Sequence, residues 1–163
     1  MKTPRTAQLP PFYTQVIGSL PRPKLLLDLL ARRDSLSAGE YEKVMDEMVI
    51  FAIRLQEGAG IDVVSDGEWR RIHYVGEFLQ RVGGFQRVRK FEHQGETKLT
   101  EVVVGRMKDA GTAMFTRDGE FLAKHTNRCT KFALPSPFLV AIRYWHPDYS
   151  SRAYPSWKIS WII

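Results

Sequence analysis

The stretch from Ser37 to Glu68 constrains the fold of this chain more than any other. Ser37-Ala38-Gly39-Glu40 is a capping box. Its serine hydroxyl can accept from the amide three residues on, while Glu40 reaches back to the serine amide. Behind it Tyr41, Val44, Met45, Met48, Val49, Ala52 and Leu55 recur at helical spacing, which predicts an amphipathic helix with that face inward. The methionines read as core filling rather than as ligands. Gly58 and Gly60 predict the helix end, because glycine accepts the left-handed conformation that closes a C-terminus. The β-branched run Ile61-Asp62-Val63-Val64-Ser65 then predicts a buried strand, which gives way to Asp66-Gly67-Glu68. A helix that feeds a buried strand ending in polar residues is a repeating unit of α/β folds.

The rest of the chain fits that unit. Residues 14–19 predict a short strand, stopped by Pro21-Arg22-Pro23, because proline lacks a donor and restrains its predecessor. Leucines at 25, 26, 29 and 30 predict a helix from Lys24 to Arg33. Helical patterning resumes from His73 to Val82 and ends at Gly83-Gly84. After a polar excursion from Phe91 to Thr100, Val102 to Val104 predicts a third strand. A weaker helix is expected over Phe115 to Thr126, and a fourth strand over Cys129 to Leu134, stopped by Pro135-Ser136-Pro137. Phe138 to Trp145 starts another helix. Strands alternating with helices argue for parallel βα units, whose functional residues lie just past the strands' C-terminal ends. Gly18-Ser19, Asp66-Gly67-Glu68 and Pro135-Ser136-Pro137 hold that position, which points to a small-molecule site at the mouth of a barrel or open sheet.

Composition removes several alternatives. A length of 163 residues fits one domain. The charge of +6, from 24 Lys and Arg against 18 Asp and Glu, is spread along the chain. Its densest cluster, Arg81 to Lys90, sits among Gly83, Gly84 and Phe85 with no nucleic-acid-binding motif, so it reads as a solvated surface and no nucleic-acid partner is expected. The single cysteine, Cys129, excludes an internal disulfide framework. Residues 1–11 are Pro-rich and polar, unlike a signal peptide, and the longest apolar run, Met48 to Ile53, is far below the roughly 20 residues that cross a bilayer. A cytoplasmic chain with no membrane partner is expected.

Glu68 follows Gly67 directly, where the chain can turn sharply and offer a carboxylate to a cleft. That carboxylate can hold an ammonium group or act as a general base; the alternative is a surface salt bridge with Arg70 or Arg71. Asp66 has the same two readings, with a turn-stabilising role foremost. Gly18-Ser19 offers amides and a hydroxyl to a carboxylate, or is simply a strand terminus. His73, His93, His125, His146 and Cys129 show no metal-ligand spacing, and the phosphate-loop, dinucleotide-binding and serine-hydrolase motifs are missing.

Two of these segments, taken together, resemble a known family. Val16-Ile17-Gly18-Ser19-Leu20-Pro21-Arg22-Pro23 is similar to the opening strand of the catalytic barrel of cobalamin-independent methionine synthase. Ala59-Gly60-Ile61-Asp62-Val63-Val64-Ser65-Asp66-Gly67-Glu68 is similar to its second strand, with a Gly-Glu pair. Arg71, Phe78 and Gly84-Phe85 follow at similar spacing, and Lys131 to Phe138 resembles a later strand; the likeness covers roughly residues 13–155.

The resemblance implies a (β/α)8 barrel that transfers a methyl group from a methyl-tetrahydrofolate to the sulfur of homocysteine, with a catalytic zinc. It implies that Ile17, Gly18 and Ser19 hold the amino acid's carboxylate and that Glu68 holds its ammonium. The family's zinc ligands, a His, two Cys and a Glu, fall on later strands, so no catalytic residue and no metal ligand is assigned here. A complete barrel takes about 250 residues. The expectation is therefore an α/β chain forming a partial barrel, about the first four βα units, with residues 1–163 as an N-terminal half. Residues 157–163 form a Trp- and Ile-rich tail that departs from the family's pattern. Such a half exposes a strand edge, so instability or self-association is expected of it. A related zinc thiol-alkyltransferase of the coenzyme M type and a non-catalytic, oligomerising half-barrel are the alternatives. Glu68 favours an amino-acid substrate, since coenzyme M has no ammonium.

Overall fold

The computed structural model describes residues 5–71, 74–93, 95–108 and 115–158. The expectations that touch residues 1–4, His73 and the tail residues 159–163 lie outside the described residues. In chain order the helices and strands are α1 (Lys24–Ala31), α2 (Ala38–Gly58), β1 (Val63–Val64), α3 (Tyr74–Val82), β2 (Phe85–His93), β3 (Glu96–Val103), α4 (Thr116–Lys124), β4 (Cys129–Thr130), α5 (Pro137–Tyr144) and α6 (Pro147–Ser150). Short 3-10 turns occupy Arg5–Gln8 and Arg33–Ser35. The chain divides into two compact units, Met1–Ile72 with Phe115–Ala133, and His73–Met114 with Leu134–Ile163. Among the described residues no helix is long and apolar enough to cross a membrane.

In the first unit α2 starts as its sequence dictates. Ser37 Oγ accepts from the Glu40 amide at 3.3 Å and Glu40 Oε2 accepts from the Ser37 amide at 3.1 Å. The helix closes in a Schellman arrangement: the Gly60 amide donates to Glu57 O and the Ile61 amide to Gln56 O, both at 3.0 Å. Gly60, not Gly58, takes the left-handed turn (φ +76°). The buried stripe is Tyr41, Met45, Val49, Ala52, Ile53 and Gln56, so the expected Val44 and Leu55 are corrected to exposed positions. They lie off this stripe. Tyr41, Met45 and Ala52 pack with Leu26, Leu29 and Trp69, while Val49 and Ile53 pack with Val64 and Leu122. Each fully buried aliphatic or Met side chain of this kind contributes about 1.5–3 kcal/mol.

The parallel pairing expected of βα units is present but short. Val63 lies opposite Cys129 and Val64 opposite Thr130, and Gln15 makes one isolated parallel bridge to Val63. Side chains replace the longer ladders expected over residues 14–19, 61–65 and 129–134. The Ser65 amide donates to Gln56 Oε1 at 3.0 Å, and Gln56 Nε2 donates to Ser65 O at 2.8 Å. The Thr14 amide and hydroxyl both donate to Asp62 Oδ2 at 2.8 Å, and the Lys131 ammonium donates to Val16 O. Backbone groups satisfied this way need no strand partner.

The second unit corrects the reading of residues 91–100. They are not an excursion between elements but the outer part of an antiparallel hairpin, with Phe85 opposite Val103 and His93 opposite Glu96. β3 is buried only at its end, Val102 and Val103, so most of it shows no alternation of apolar and polar residues. Val75, Leu79, Val103, Val140, Tyr144 and Tyr154 form the unit's core. Gly84 (φ +76°) sits where a Cβ would lie 2.8 Å from Arg106 O, too close for any other residue. Ser136 and Pro137, expected to stop a strand, instead start α5: Ser136 Oγ accepts from the Leu139 amide at 3.1 Å, and Pro137 occupies the first turn.

Candidate functional site

The site lies in the first unit, in the turn that follows β1. Gly67 and Glu68 are both left-handed, with φ of +67° and +57°. That conformation is uncommon for a residue with a side chain and needs support from around it. Side chains within the turn supply part of that support. Ser65 Oγ accepts from the Gly67 amide at 3.2 Å and Asp66 Oδ1 from the Glu68 amide at 3.0 Å. The second bond is the turn-stabilising role read for Asp66 in the sequence.

The Glu68 carboxylate accepts from the Ser19 hydroxyl at 2.7 Å, 49 residues away in sequence. Two bonds bring these segments together: the Leu20 amide donates to Gly67 O at 3.1 Å, and Trp69 Nε1 donates to Leu20 O at 3.3 Å. Glu68 as a whole is 7 % exposed. Its Oε2 is taken by Ser19, while Oε1 receives no hydrogen bond from the described residues and keeps contact with solvent. Ser19 is exposed, Gly18 is exposed and left-handed (φ +77°), and Ile17 is 87 % exposed. The four residues singled out in the sequence therefore comprise an exposed segment, 17–19, and a largely buried carboxylate bonded to its last member.

The alternative salt bridges from Glu68 to Arg70 or Arg71 are not formed; both arginines are engaged elsewhere. Arg71 Nη2 lies 3.2 Å from both Asp66 oxygens, and both side chains are 2 % exposed. Arg71 Nη1 also donates to Ala133 O at 2.7 Å, and the guanidinium lies 4.4 Å from the centroid of Phe132. Arg70 pairs with Asp46 and with Asp118 (3.4 Å), over the ring of Phe121 at 4.8 Å. Burial pushes the Asp118 carboxyl up, opposed by the charge of Arg70. Among the described residues Glu68 thus has no cationic partner, which suits its carboxylate to take a cation from solution.

Arg22 is the residue that sequence reasoning passed over. Its Nη2 donates to Arg71 O at 2.5 Å and to Glu68 O at 3.3 Å. The available signal was its place between Pro21 and Pro23, read only as a turn.

A metal fits these residues poorly. Among the described residues no three His, Cys, Asp or Glu side chains converge as ligands. The single cysteine is half-buried within β4, paired with Val63, and cannot supply two thiolates.

Residues 12–110 match the family model described as the catalytic domain of cobalamin-independent synthase. A 5-methyltetrahydropteroyltriglutamate–homocysteine methyltransferase of Synechococcus sp. is 39% identical over 83 residues, covering 50% of this chain and 11% of that protein. A methionine synthase of Sulfurisphaera tokodaii is 38% identical over 81 residues, covering 48% of this chain and 24% of that protein. Among solved structures, a B12-independent methionine synthase from Shewanella sp. W3-18-1 in complex with selenomethionine aligns with a TM-score of 0.67 and 26% identity, over 91% of this chain and 43% of that one. A putative vitamin-B12-independent methionine synthase from Listeria monocytogenes aligns with a TM-score of 0.64 and 26% identity, over 86% of this chain and 42% of that one. The chain is of mixed α/β class and spans less than half the length of these relatives.

Proposed function

The chain belongs to the family of cobalamin-independent synthase catalytic domains, and on that premise we propose that it carries the amino-acid-binding part of a homocysteine S-methyltransferase. In this reading residues 1–163 correspond to the N-terminal half of a (β/α)8 barrel, and the acceptor is homocysteine, with a methyl-tetrahydrofolate as donor. The Gly18 and Ser19 backbone, beside Ile17, faces the acceptor's carboxylate. Glu68 takes its ammonium on Oε1 while Ser19 steadies Oε2.

The observation that supports this most is the Ser19–Glu68 bond of 2.7 Å beside a carboxylate oxygen left open. A buried carboxylate is stable only if paired or hydrogen-bonded, and one hydrogen bond leaves capacity for a cation. Charge-assisted bonds of this type are roughly twice as strong as neutral ones. An acceptor without an amino group, such as coenzyme M, would leave that capacity unused.

The family's zinc would supply the activated sulfur. Among the described residues no side chains converge to hold such an ion. What this chain contributes is recognition and orientation of the acceptor. The same reading expects self-association, since the first unit exposes Tyr13, Ile17, Phe51 and Leu55.

Calorimetry with L-homocysteine and L-methionine tests the proposal. Both amino acids are expected to bind, and Glu68→Gln is expected to weaken them about tenfold or more, the scale of a lost charge-assisted bond. Binding that is indifferent to Glu68→Gln would contradict it.

A further inference from the structure

We infer that Arg22 is a positioning residue for the Glu68 carboxylate, acting through the backbone of the 68–71 turn rather than on the ligand; this rests on the amino-acid reading above. Glu68 is the non-glycine residue of this turn with positive φ, and it carries the side chain the site depends on. A residue held at φ +57° will relax unless its neighbours fix both its amide and its carbonyl. Asp66 holds the amide at 3.0 Å. Arg22 holds the carbonyl at 3.3 Å and, with the same nitrogen, the Arg71 carbonyl at 2.5 Å. One guanidinium nitrogen therefore clamps the first and last carbonyls of the turn.

The sequence prepares Arg22 for this task. Pro21 has a fixed φ, and Pro23 restricts Arg22 itself to extended backbone, so the side chain starts from a rigid base. The side-chain torsions still lose freedom when the guanidinium reaches across to the turn, but its planar fork loses less per hydrogen bond than a flexible ammonium would. The opposite side of the turn is tied down independently, since Arg71 pairs with Asp66 and donates to Ala133 O. Arg22 is only half-buried, and its removal leaves that ion pair intact. Asp66 and Arg71 hold the turn in place, and Arg22 sets the angle at which Glu68 leaves it.

The test uses Arg22→Gln and Arg22→Lys in the full chain with two readouts. One is the ratio of affinities for L-homocysteine and its deamino analogue, which isolates the ammonium contact from the rest of the ligand. Arg22→Gln is expected to cut this ratio about tenfold while the binding of the deamino analogue stays within about twofold. Arg22→Lys is expected to restore the ratio only in part, because a point charge cannot reproduce the planar fork. The other readout needs no ligand: the three-bond HN–Hα coupling and Cα shift of Glu68 by NMR, expected to leave their left-handed values in Arg22→Gln. If wild type binds no amino acid, the functional reading fails, and the Glu68 coupling alone decides the positioning role. An unchanged coupling, an unchanged ratio, or equal losses for both ligands would overturn it.

Discussion

Among the described residues, the first unit buries Gln56, Ser65, Asp66, Glu68, Arg71 and Thr126, whereas the second buries a single polar side chain, Ser150. Ser150 Oγ donates to Val103 O at 2.5 Å and accepts from the His146 amide at 2.9 Å, and the other buried side chains described in that unit are Val75, Leu79, Val102, Val103, Val140, Ala141, Tyr144 and Tyr154. The second unit is held as most small cores are, by apolar burial. The first unit also has apolar clusters, yet where β1 ends its interior turns to charge and hydrogen bonds. Buried polar networks cost desolvation and fix direction in return. Their concentration around Glu68 marks where side-chain orientation matters more than cohesion.

The sharpest way to break this contrast is to remove one member of the buried pair. Asp66→Ala strands the Arg71 guanidinium and releases the Glu68 amide, and should destabilise the first unit by about 3–5 kcal/mol in urea melts. Hydrogen exchange should then accelerate around β1 and α2. A loss below about 1 kcal/mol would mean that water already screens the pair.

A smaller effect is expected from Leu79→Ala, which opens a cavity in the second unit at about 2–4 kcal/mol. Its exchange signature should fall on α3 and β3, with amino-acid affinity unchanged at temperatures where the chain stays folded. Smaller again is Gly84→Ala, which meets the Arg106 carbonyl and a left-handed φ, for about 1–3 kcal/mol. A neutral result there would show that the loop at 105–106 can yield.

How much of this was legible in the sequence depended on range. The capping box, the end of α2 and the turn after β1 are local devices, written within a few residues of Ser37, Gly60 and Asp66. The Ser19–Glu68 bond spans 49 residues, and only the family likeness paired those segments in advance. The short ladders were not legible, because Gln56, Asp62 and Lys131 look like solvated residues until their backbone partners are seen. The hairpin was missed because burial begins only at Val102, so no period-two pattern marks its outer half. Arg22 was hidden in a proline turn.

The smallest effect is a pH dependence in the first unit. Hydrogen bonds from Thr14 hold the Asp62 carboxyl below its usual 3.8, and one from Thr126 holds Glu57 below 4.5. Both groups have depressed folded-state values, so the unfolded chain binds more protons in that range. Their stabilisation is present above the unfolded values and is lost as pH falls below about 4.5 and through the folded ones. Thr126→Val should flatten that decline, and Thr14→Val should do so only in part because the amide at position 14 still donates to Asp62; melts between neutral and acid pH will read both.

The most direct trial of the central claim is a calorimetric comparison of L-homocysteine and its deamino analogue on wild type and Glu68→Gln. Wild type is expected to prefer the amino acid by about tenfold or more, and the variant to bind both alike. Equal affinities in wild type, or a preference that survives Glu68→Gln, would contradict the account.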